Sequence, residues 1–322
     1  MKQGQGRRLR RLGSTLASAL AAAAALAATS ACAQRSGDIR IDDTAVFPES
    51  VTSTAAGAVY AGSTKGNVYR ALPNEQLATA WIKTSPENGI LAILGVLADE
   101  ASKTLWLCSA PNFFGPERSQ GVSALMAFDL DTGAKKGEYA FPPPASVCND
   151  IAIARDGTAY ATDTQNGRLF KLAKGGSTLT LYGEDRALVG VDGIAFAEDG
   201  TMYVNNVRSN QIIRVADNNG AMGALTVLEL SEPISGPDGF RPLGGNRFLQ
   251  AEGNTGRVSV VRIEGNRAVI EVLSDEFVST PGATAVGNTA YVLESNIRYL
   301  TDPSLRGQDP GPFVIHAVPI AR

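Results

Sequence analysis

The chain has 322 residues, of which 44% are hydrophobic and 19% are charged, and its mean hydropathy is -0.03. This composition excludes an intrinsically disordered chain and a protein with several membrane spans. Thirty-four glycines and 16 prolines, without a glycine period or a long proline tract, indicate many tight turns between short strands.

The first 33 residues have the pattern of a secretory signal peptide. Five basic residues precede an alanine- and leucine-rich run, which ends in the cleavage-site pattern A-C-A at 31–33. A lipid anchor on Cys32 is the alternative, although Thr29 stands where lipoprotein signals usually carry an aliphatic residue. We therefore predict a signal peptide over residues 1–33 and a periplasmic or secreted domain over residues 34–322.

The predicted domain is acidic. Removing the signal peptide changes the net charge from -3 to -8, because 24 basic residues then face 32 acidic ones. This charge argues against nucleic acid or an anionic membrane surface as the main partner. We expect a small-molecule partner and no membrane span.

Two cysteines, Cys108 and Cys148, lie in the predicted domain. In an oxidising compartment they could form one disulfide that closes a loop of about 40 residues. The alternative is two separately buried thiols, and the sequence leaves both open. No C-x-x-C motif occurs, which excludes a zinc ribbon and a dithiol redox site.

An internal repeat runs through the predicted domain. Each copy has an apolar strand, a turn and a second strand with an aromatic residue; the aromatics are Tyr60, Trp106, Tyr160, Tyr203, Phe248 and Tyr291. Their spacings of 46, 54, 43, 45 and 43 residues are typical of one four-stranded propeller blade per copy. Asp156-Gly157 and Asp199-Gly200 provide hairpin turns between strands. The sequence predicts an all-β fold, a six-bladed β-propeller.

The last copy of the repeat is one strand short. The sequence ends soon after the strand-like run from Phe313 to Val318, whereas the stretch from Ile39 to Val46 precedes the first copy. We predict that this N-terminal stretch closes the propeller as the outer strand of the last blade, which removes an open sheet edge.

Four oxygen-bearing side chains share one position of the repeat. Counting back 11 residues from the aromatic reaches Glu49, Asn149 and Asp192, and counting back 10 reaches Asp238 in the fifth copy. Because the first strand of every blade starts beside the axis, these side chains are expected to converge. Three carboxylates repel one another unless a cation lies among them, and oxygen ligands favour Ca²⁺ before Mg²⁺. Taken singly, each is an ordinary turn or cap residue.

Short motifs surround these four residues. They are F-P-E at 47–49, C-N-D-I at 148–151, V-D-G-I-A-F at 191–196 and G-P-D-G-F at 236–240. Together they resemble the family of senescence marker protein 30 and gluconolactonase, and more distantly paraoxonase. The resemblance implies that all four residues surround a divalent ion and that Asp238 is the general base. Two positions depart from the family: Asp192 replaces an asparagine, and Val147 replaces the arginine of sugar-lactone members.

Two long loops follow second strands, at residues 110–120 and 295–311. Strand direction places both at the end of the fold where the four residues lie, and long loops beside a site often form pocket walls. The alternative is that the loops pack their aromatic residues on the scaffold. We predict that four of their residues contact the substrate: Asn112, Phe113, Phe114 and Tyr299.

The absence of other catalytic motifs reduces the number of reaction mechanisms that the chain could use. No G-x-S-x-G occurs, which disfavours a nucleophile-elbow serine hydrolase. His316 is the only histidine, so a histidine dyad of the paraoxonase kind is excluded, and we expect a structural role for it.

The prediction is an exported, calcium-dependent hydrolase of lactones or related esters. The alternative is a non-catalytic propeller that binds a ligand or partner and uses the ion to hold its inner strands.

Overall fold

The structure is a computed structural model that describes residue 1, residues 37–114 and residues 120–321. The chain divides into two units, Met1–Ala31 and Cys32–Arg322, and the second unit contains all the strands described below. Except for residue 1, the predicted signal peptide lies outside the described residues, and so does Cys32. Among the described residues, no helix has both the length and the apolar character needed to cross a membrane.

The described residues form an all-β fold of short strands. The first strands in chain order are β1 (Ile39–Ile41), β2 (Pro48–Ser53), β3 (Val59–Ser63), β4 (Val68–Ala71), β5 (Leu77–Ile82), β6 (Ala92–Asp99), β7 (Thr104–Ala110), β8 (Ala124–Asp129) and β9 (Lys135–Ala140). The next are β10 (Cys148–Ile153), β11 (Ala159–Asp163), β12 (Arg168–Leu172), β13 (Thr180–Glu184), β14 (Val191–Phe196), β15 (Met202–Asn206), β16 (Gln211–Asn218) and β17 (Ala221–Val227).

The remaining strands belong to the C-terminal part of the chain. They are β18 (Glu229–Leu230), β19 (Pro237–Gly244), β20 (Arg247–Glu252), β21 (Arg257–Glu264), β22 (Arg267–Ser274), β23 (Gly282–Val286), β24 (Thr289–Leu293) and β25 (Val314–Pro319). The helical segments are α1 (Arg298–Thr301) and two 3₁₀ turns, Arg186–Leu188 and Pro303–Leu305.

Consecutive strands pair antiparallel in meanders. Strands β6–β9, β10–β13 and β14–β17 each form a four-stranded sheet, and β19–β22 form another, which β18 extends by parallel pairing with β22. Strands β2–β5 and β23–β25 belong to one eight-stranded sheet, because β1 lies between them. It pairs antiparallel with β25 and parallel with β5.

The first strands of successive meanders pack against one another in a closed ring. β2 contacts β6, β6 contacts β10, β10 contacts β14, β14 contacts β19, β19 contacts β23, and β23 contacts β2. Glycine permits this close approach, since a Cβ on Gly95 would overlap the carbonyl oxygen of Asn149, and a Cβ on Gly193 would overlap that of Asp238. The starts of these strands are therefore held close together.

Apolar clusters fill the spaces between neighbouring meanders. The aromatic residues of the repeat lie on the second strands and contribute to these clusters; the rings of Tyr203 and Phe248, for example, lie 5.4 Å apart across two neighbouring meanders. The predicted hairpin turns are confirmed, because Gly157 and Gly200 take φ values of 85° and 90° between paired strands.

The N-terminal strand is shorter than predicted. It ends at Ile41 rather than continuing to Val46, because the Asp43 side chain turns the chain. Asp43 Oδ1 accepts hydrogen bonds from the backbone N–H groups of Thr44, at 2.7 Å, and Ala45, at 3.2 Å. Such an Asx turn competes with a sheet ladder.

A disulfide joins Cys108 on β7 to Cys148 on β10, with the two Cα atoms 5.1 Å apart. The structure thus selects the disulfide from the two alternatives that the sequence left open. Since the two strands belong to neighbouring sheets, this bond links the sheets covalently.

Replacing both cysteines by alanine should lower the free energy of unfolding by about 4 kcal/mol, because a loop of 40 residues is no longer closed in the unfolded chain. Urea unfolding of the oxidised protein and of the variant measures the difference. A reducing agent should destabilise the parent protein and leave the variant unchanged. Equal stability of the two proteins would contradict the prediction.

Candidate functional site

The four residues predicted to converge occupy one structural position. Glu49, Asn149, Asp192 and Asp238 are the second residues of β2, β10, β14 and β19, respectively. In each strand the pairing register shifts at this residue, which is the signature of a β-bulge. A bulge re-aims a side chain at the start of a strand, and here it does so in four first strands of the same ring.

The segments that lead into the first strands, which we call entry segments, are fixed by buried polar side chains. These anchor residues lie at the ends of the second strands and are at most 1% exposed: Ser63, Ser109, Asp163, Asn206, Glu252 and Ser295. Asp163 Oδ1 accepts a hydrogen bond from Val147 N at 2.9 Å, and Asn206 Nδ2 donates one to Val189 O at 3.1 Å.

The other anchor residues act on their own entry segments. Glu252 Oε2 accepts a hydrogen bond from the Ser235 N–H at 2.8 Å, and Ser109 Oγ accepts one from Leu91 N at 2.9 Å. Ser63 Oγ donates to the carbonyl oxygen of Val46, and Ser295 N donates to Ser279 O at 3.2 Å. These six residues were not predicted from the sequence, although a polar residue follows each repeat aromatic by three or four positions and could have revealed them.

Three of the predicted site residues are joined by hydrogen bonds. Asn149 Nδ2 donates to Asp192 Oδ2 at 2.8 Å and to Thr164 Oγ1 at 2.9 Å, and the carboxyl groups of Asp192 and Asp238 share a further hydrogen bond. Glu49 acts on this group through its charge, which raises the pKa of Asp238. Glu49, Asn149 and Asp192 are buried, whereas Asp238 is partly exposed and is therefore the acidic group most accessible to a ligand.

The electrostatics of the site favour neutral carboxyl groups. Burial raises the pKa of Asp192 to about 7, and the charge of Asp150 contributes in the same direction. Burial raises the pKa of Asp238 and of Glu49 well above the ordinary value, and repulsion by Asp192 adds to it in both cases. The shared hydrogen bond lowers the pKa of Asp192 and raises that of Asp238.

A buried ion pair lies next to these carboxyl groups. The Arg241 guanidinium donates to both Asp150 oxygens, at 2.7 and 2.8 Å, and to the carbonyl oxygen of Val96 at 3.3 Å. The Ile194 N–H donates to Asp150 at 3.1 Å. The pair therefore connects β6, β10, β14 and β19, and the positive charge of Arg241 lowers the pKa of Asp192.

The oxygen atoms of the site are suited to binding a cation. Glu49 Oε2 and Asp192 Oδ1 are buried and have no hydrogen-bond partner, so each offers a free carboxylate oxygen. These oxygens, with those of Asp238 and Asn149, are the ligands that a hard cation prefers. Within residues 37–114 and 120–321, no three His, Cys, Asp or Glu side chains are already arranged as a metal cluster. The chemistry of the site fits a cation, and binding one would require the carboxylates to close around it.

The second meander contributes an apolar residue at the equivalent position. Gly95 and Gly193 each lie close to the backbone of the next first strand, so the two glycines occupy equivalent positions. The residues that precede them, Leu94 and Asp192, are therefore also equivalent. Leu94 packs in a small apolar cluster with Val147 and with Phe114 of the predicted substrate loop.

The predicted substrate-binding residues lie at the same end of the strands as Asn149, which is the end where the first strands begin. Asn112 Oδ1 accepts a hydrogen bond from Phe114 N at 3.0 Å, and the rings of Phe113 and Phe114 lie 4.4 Å apart. Phe113 is 43% exposed. Tyr299 lies in α1 and packs against the apolar cluster that contains Phe47, two residues before Glu49. A role for these residues in substrate binding stays a prediction.

Phe47 is the one bulky residue with a left-handed backbone that directly precedes a first strand in the described part of the chain. Its φ is 43°, a value that costs a non-glycine residue conformational energy. The conformation is held by the Phe313 ring, 5.3 Å away, and by a hydrogen bond from Thr64 N to Phe47 O. This turn directs the chain into Pro48 and Glu49.

His316 lies on β25 and not among the site residues. Its Nδ1 is 3.2 Å from Asp38 Oδ2, its Nε2 is 3.4 Å from Glu294 Oε2, and its ring stacks on Phe277. These contacts connect the residue before β1 to the last strand of the chain.

Comparison with solved structures identifies the fold. A gluconolactonase from Xanthomonas campestris is 18% identical, with a TM-score of 0.61, over 86% of this chain and 88% of that chain. A luciferin-regenerating enzyme is 11% identical, with a TM-score of 0.62, over 89% and 98%. A virginiamycin B lyase from Staphylococcus aureus is 13% identical, with a TM-score of 0.56, over 88% and 98%.

These similar structures are β-propeller enzymes, and at such identities the likeness establishes the fold. No protein-family description and no curated protein matches this sequence. The resemblance to gluconolactonases that the motifs indicated is therefore supported by the shared fold.

Replacing Arg241 by methionine should lower the free energy of unfolding by about 3–5 kcal/mol, because Asp150 would stay buried without its partner. Chemical unfolding measures the loss. The control is the double variant Asp150→Leu/Arg241→Met, which contains no isolated charge and should be more stable than the single variant. A single variant as stable as the double would show that the ion pair does not compensate the burial of Asp150.

Chelator-treated protein should lose stability as the pH rises from about 4 to about 7. The pKa of Asp192 is near 3.8 in the unfolded chain and about 7 in the folded one, so the folded chain binds more protons throughout this window. The free energy of unfolding must then fall with rising pH. Thermal unfolding at several pH values tests this. Asp192→Asn should make the decline shallower, while the raised pKa values of Glu49 and Asp238 maintain part of it, and a flat profile in the parent protein would contradict the prediction.

Proposed function

We propose that this protein is an exported, calcium-dependent hydrolase of lactones or related esters. The observation that carries the proposal is the placement of Glu49, Asn149, Asp192 and Asp238 at bulges on first strands of one ring, with two carboxylate oxygens buried and unpaired. A propeller does not require three acidic residues at this position, since Leu94 is tolerated at the same place.

The ion would be held by Glu49, Asn149, Asp192 and Asp238. Calcium suits the site because all the donors are oxygen atoms and no histidine or cysteine is among them. Occupancy would offset the repulsion that raises the pKa of the three carboxyl groups, and it would return them to the ionised form. When bound, the ion supplies Lewis acidity for a carbonyl group and for an attacking water.

Asp238, Asn149 and the Asp150–Arg241 pair each have a role in the proposed reaction. Asp238 is the candidate general base because it is partly exposed and its pKa lies above the ordinary value. Asn149 is held by Thr164 and Asp192, so its amide is fixed in orientation. The Asp150–Arg241 pair holds β10 and β19 in position beneath both groups, and it acts on the reaction only by positioning them.

We also propose the finer architecture, a six-bladed propeller closed by β1. The ring of contacts among β2, β6, β10, β14, β19 and β23 supports six blades. The antiparallel pairing of β1 with β25 supports closure by the N-terminal strand, and the contacts of His316 with Asp38 reinforce it.

Export to the periplasm or the medium is part of the proposal. The basic and apolar pattern of residues 1–33 favours it, and a disulfide between Cys108 and Cys148 is typical of an oxidising compartment. A lipid anchor on Cys32 is a less favoured route to the same compartment.

The second candidate function is a non-catalytic propeller in which an ion holds the first strands together. The observation that favours it is burial, because Glu49, Asn149 and Asp192 are at most 7% exposed. Under this alternative, calcium would stabilise the protein, and no ester would be hydrolysed at any calcium concentration.

Replacing Asp238 by asparagine should remove most hydrolysis, by about 100-fold or more in kcat, because the substitution removes the base at nearly constant volume. Initial rates on a panel of lactones and esters, with calcium and with chelator, measure the effect. His316→Gln is the control and should keep activity, since His316 lies on β25 and contacts Asp38 and Glu294 rather than the site residues. Full activity of a folded Asp238→Asn protein would exclude Asp238 as the base.

A further inference from the structure

A groove of about 540 Å³ lies at the end of the meanders where the site residues are found, between the second and third meanders. Its size is within the range of small-molecule pockets. Val147 and Gln165 line it, and each adjoins the site: Val147 is two residues before Asn149, and Gln165 follows Thr164, which binds the Asn149 amide. Along the chain, the lining of the groove thus comes within two residues of Asn149 and one residue of Thr164.

The described lining of the groove contains no charged residue. Its apolar side chains include Phe113, Val122, Phe141, Pro143 and Val147. Phe113 and Val122 are 43% and 64% exposed, which places two of the exposed large apolar side chains of the described chain at one groove. In an acidic domain, beside three carboxyl groups, this neutral apolar surface is suited to an uncharged apolar group.

The two serine hydroxyls of the groove are already engaged. Ser123 Oγ donates to Ser146 O at 2.6 Å, and Ser146 Oγ accepts from Arg168 at 2.6 Å. In the described lining, a ligand that carries several hydroxyl groups would therefore find side-chain partners only in the exposed amides of Gln120 and Gln165, and burying its other hydroxyls would be unfavourable.

The floor of the groove is rigid. Arg168 is paired with the anchor residue Asp163 at 2.7 Å and donates to the carbonyl oxygens of Pro143 and Pro144, at 3.2 and 3.1 Å. Asp163 also accepts the hydrogen bond from Val147 N, and the Phe141 ring packs on Phe170 at 4.8 Å. Because this surface is ordered before binding, little conformational entropy is lost when a ligand covers it.

We propose that the groove binds the alkyl or aryl substituent of the substrate while the reacting carbonyl lies at the carboxylate site. The substrate class would then be apolar lactones or esters rather than polyhydroxylated sugar lactones. This inference rests on the proposed hydrolase function and adds the substrate class to it.

The test compares γ-lactones whose unbranched side chains contain one to eight carbons. The kcat/KM of the parent protein should rise about fourfold per methylene until the groove is filled. In the variant Phe113→Ala/Val122→Ala, the octyl lactone should lose about tenfold or more, whereas the methyl lactone should change less than twofold. Leu181→Ala, which truncates a side chain 49% exposed on β13, is the matched control and should leave the series unchanged.

Binding of N-alkyl pyrrolidinones, which cannot be hydrolysed as lactones are, separates this inference from the proposed function. Titration calorimetry should show affinity that rises with chain length and falls in Phe113→Ala/Val122→Ala but not in Leu181→Ala. Binding without hydrolysis of any ester would support the groove and contradict the hydrolase. Hydrolysis with equal kcat/KM at all chain lengths, or chain-length dependence unaltered in the double variant, would overturn the groove.

Discussion

The hydrogen bond between the end of each second strand and the entry segment of its first strand is the constraint on which the site depends. The anchor residues are buried, so each must be satisfied by the protein itself, and the loss of a bond would leave an unpaired polar group in the interior. Six such bonds or contacts fix where the first strands begin. The bulges that follow can then turn Glu49, Asn149, Asp192 and Asp238 toward one another.

Placing three acidic residues at these bulges is unfavourable in itself, because burial and mutual repulsion both oppose ionisation. Asp150 adds to the repulsion, and Arg241 partly offsets it by lowering the pKa of Asp192. The ion pair also joins four first strands. The stability of the ring and the ionisation of the site are therefore coupled, and a ligand that carries positive charge would relieve both.

The sequence predicted much of the fold because the repeat is local. Asp156-Gly157 and Asp199-Gly200 specify their hairpins through φ, and the four site residues share an offset from the repeat aromatic. The Asp150–Arg241 pair could not be predicted, since 91 residues separate the partners and no nearby motif relates them. The offset of 11 residues also failed in the second copy, where it reaches Gly95 although Leu94 occupies the bulge position that the site residues have in their strands.

The disulfide has a consequence for limited proteolysis. Cys108 and Cys148 enclose the loop that contains Phe113, strands β8 and β9, and the segment from Pro143 to Val147. A single backbone cut anywhere between the two cysteines would therefore release no fragment until the bond is reduced. Nicked molecules would migrate as one band on a non-reducing gel and as two after reduction. In the nicked molecules, both walls of the groove would still belong to one covalently linked protein.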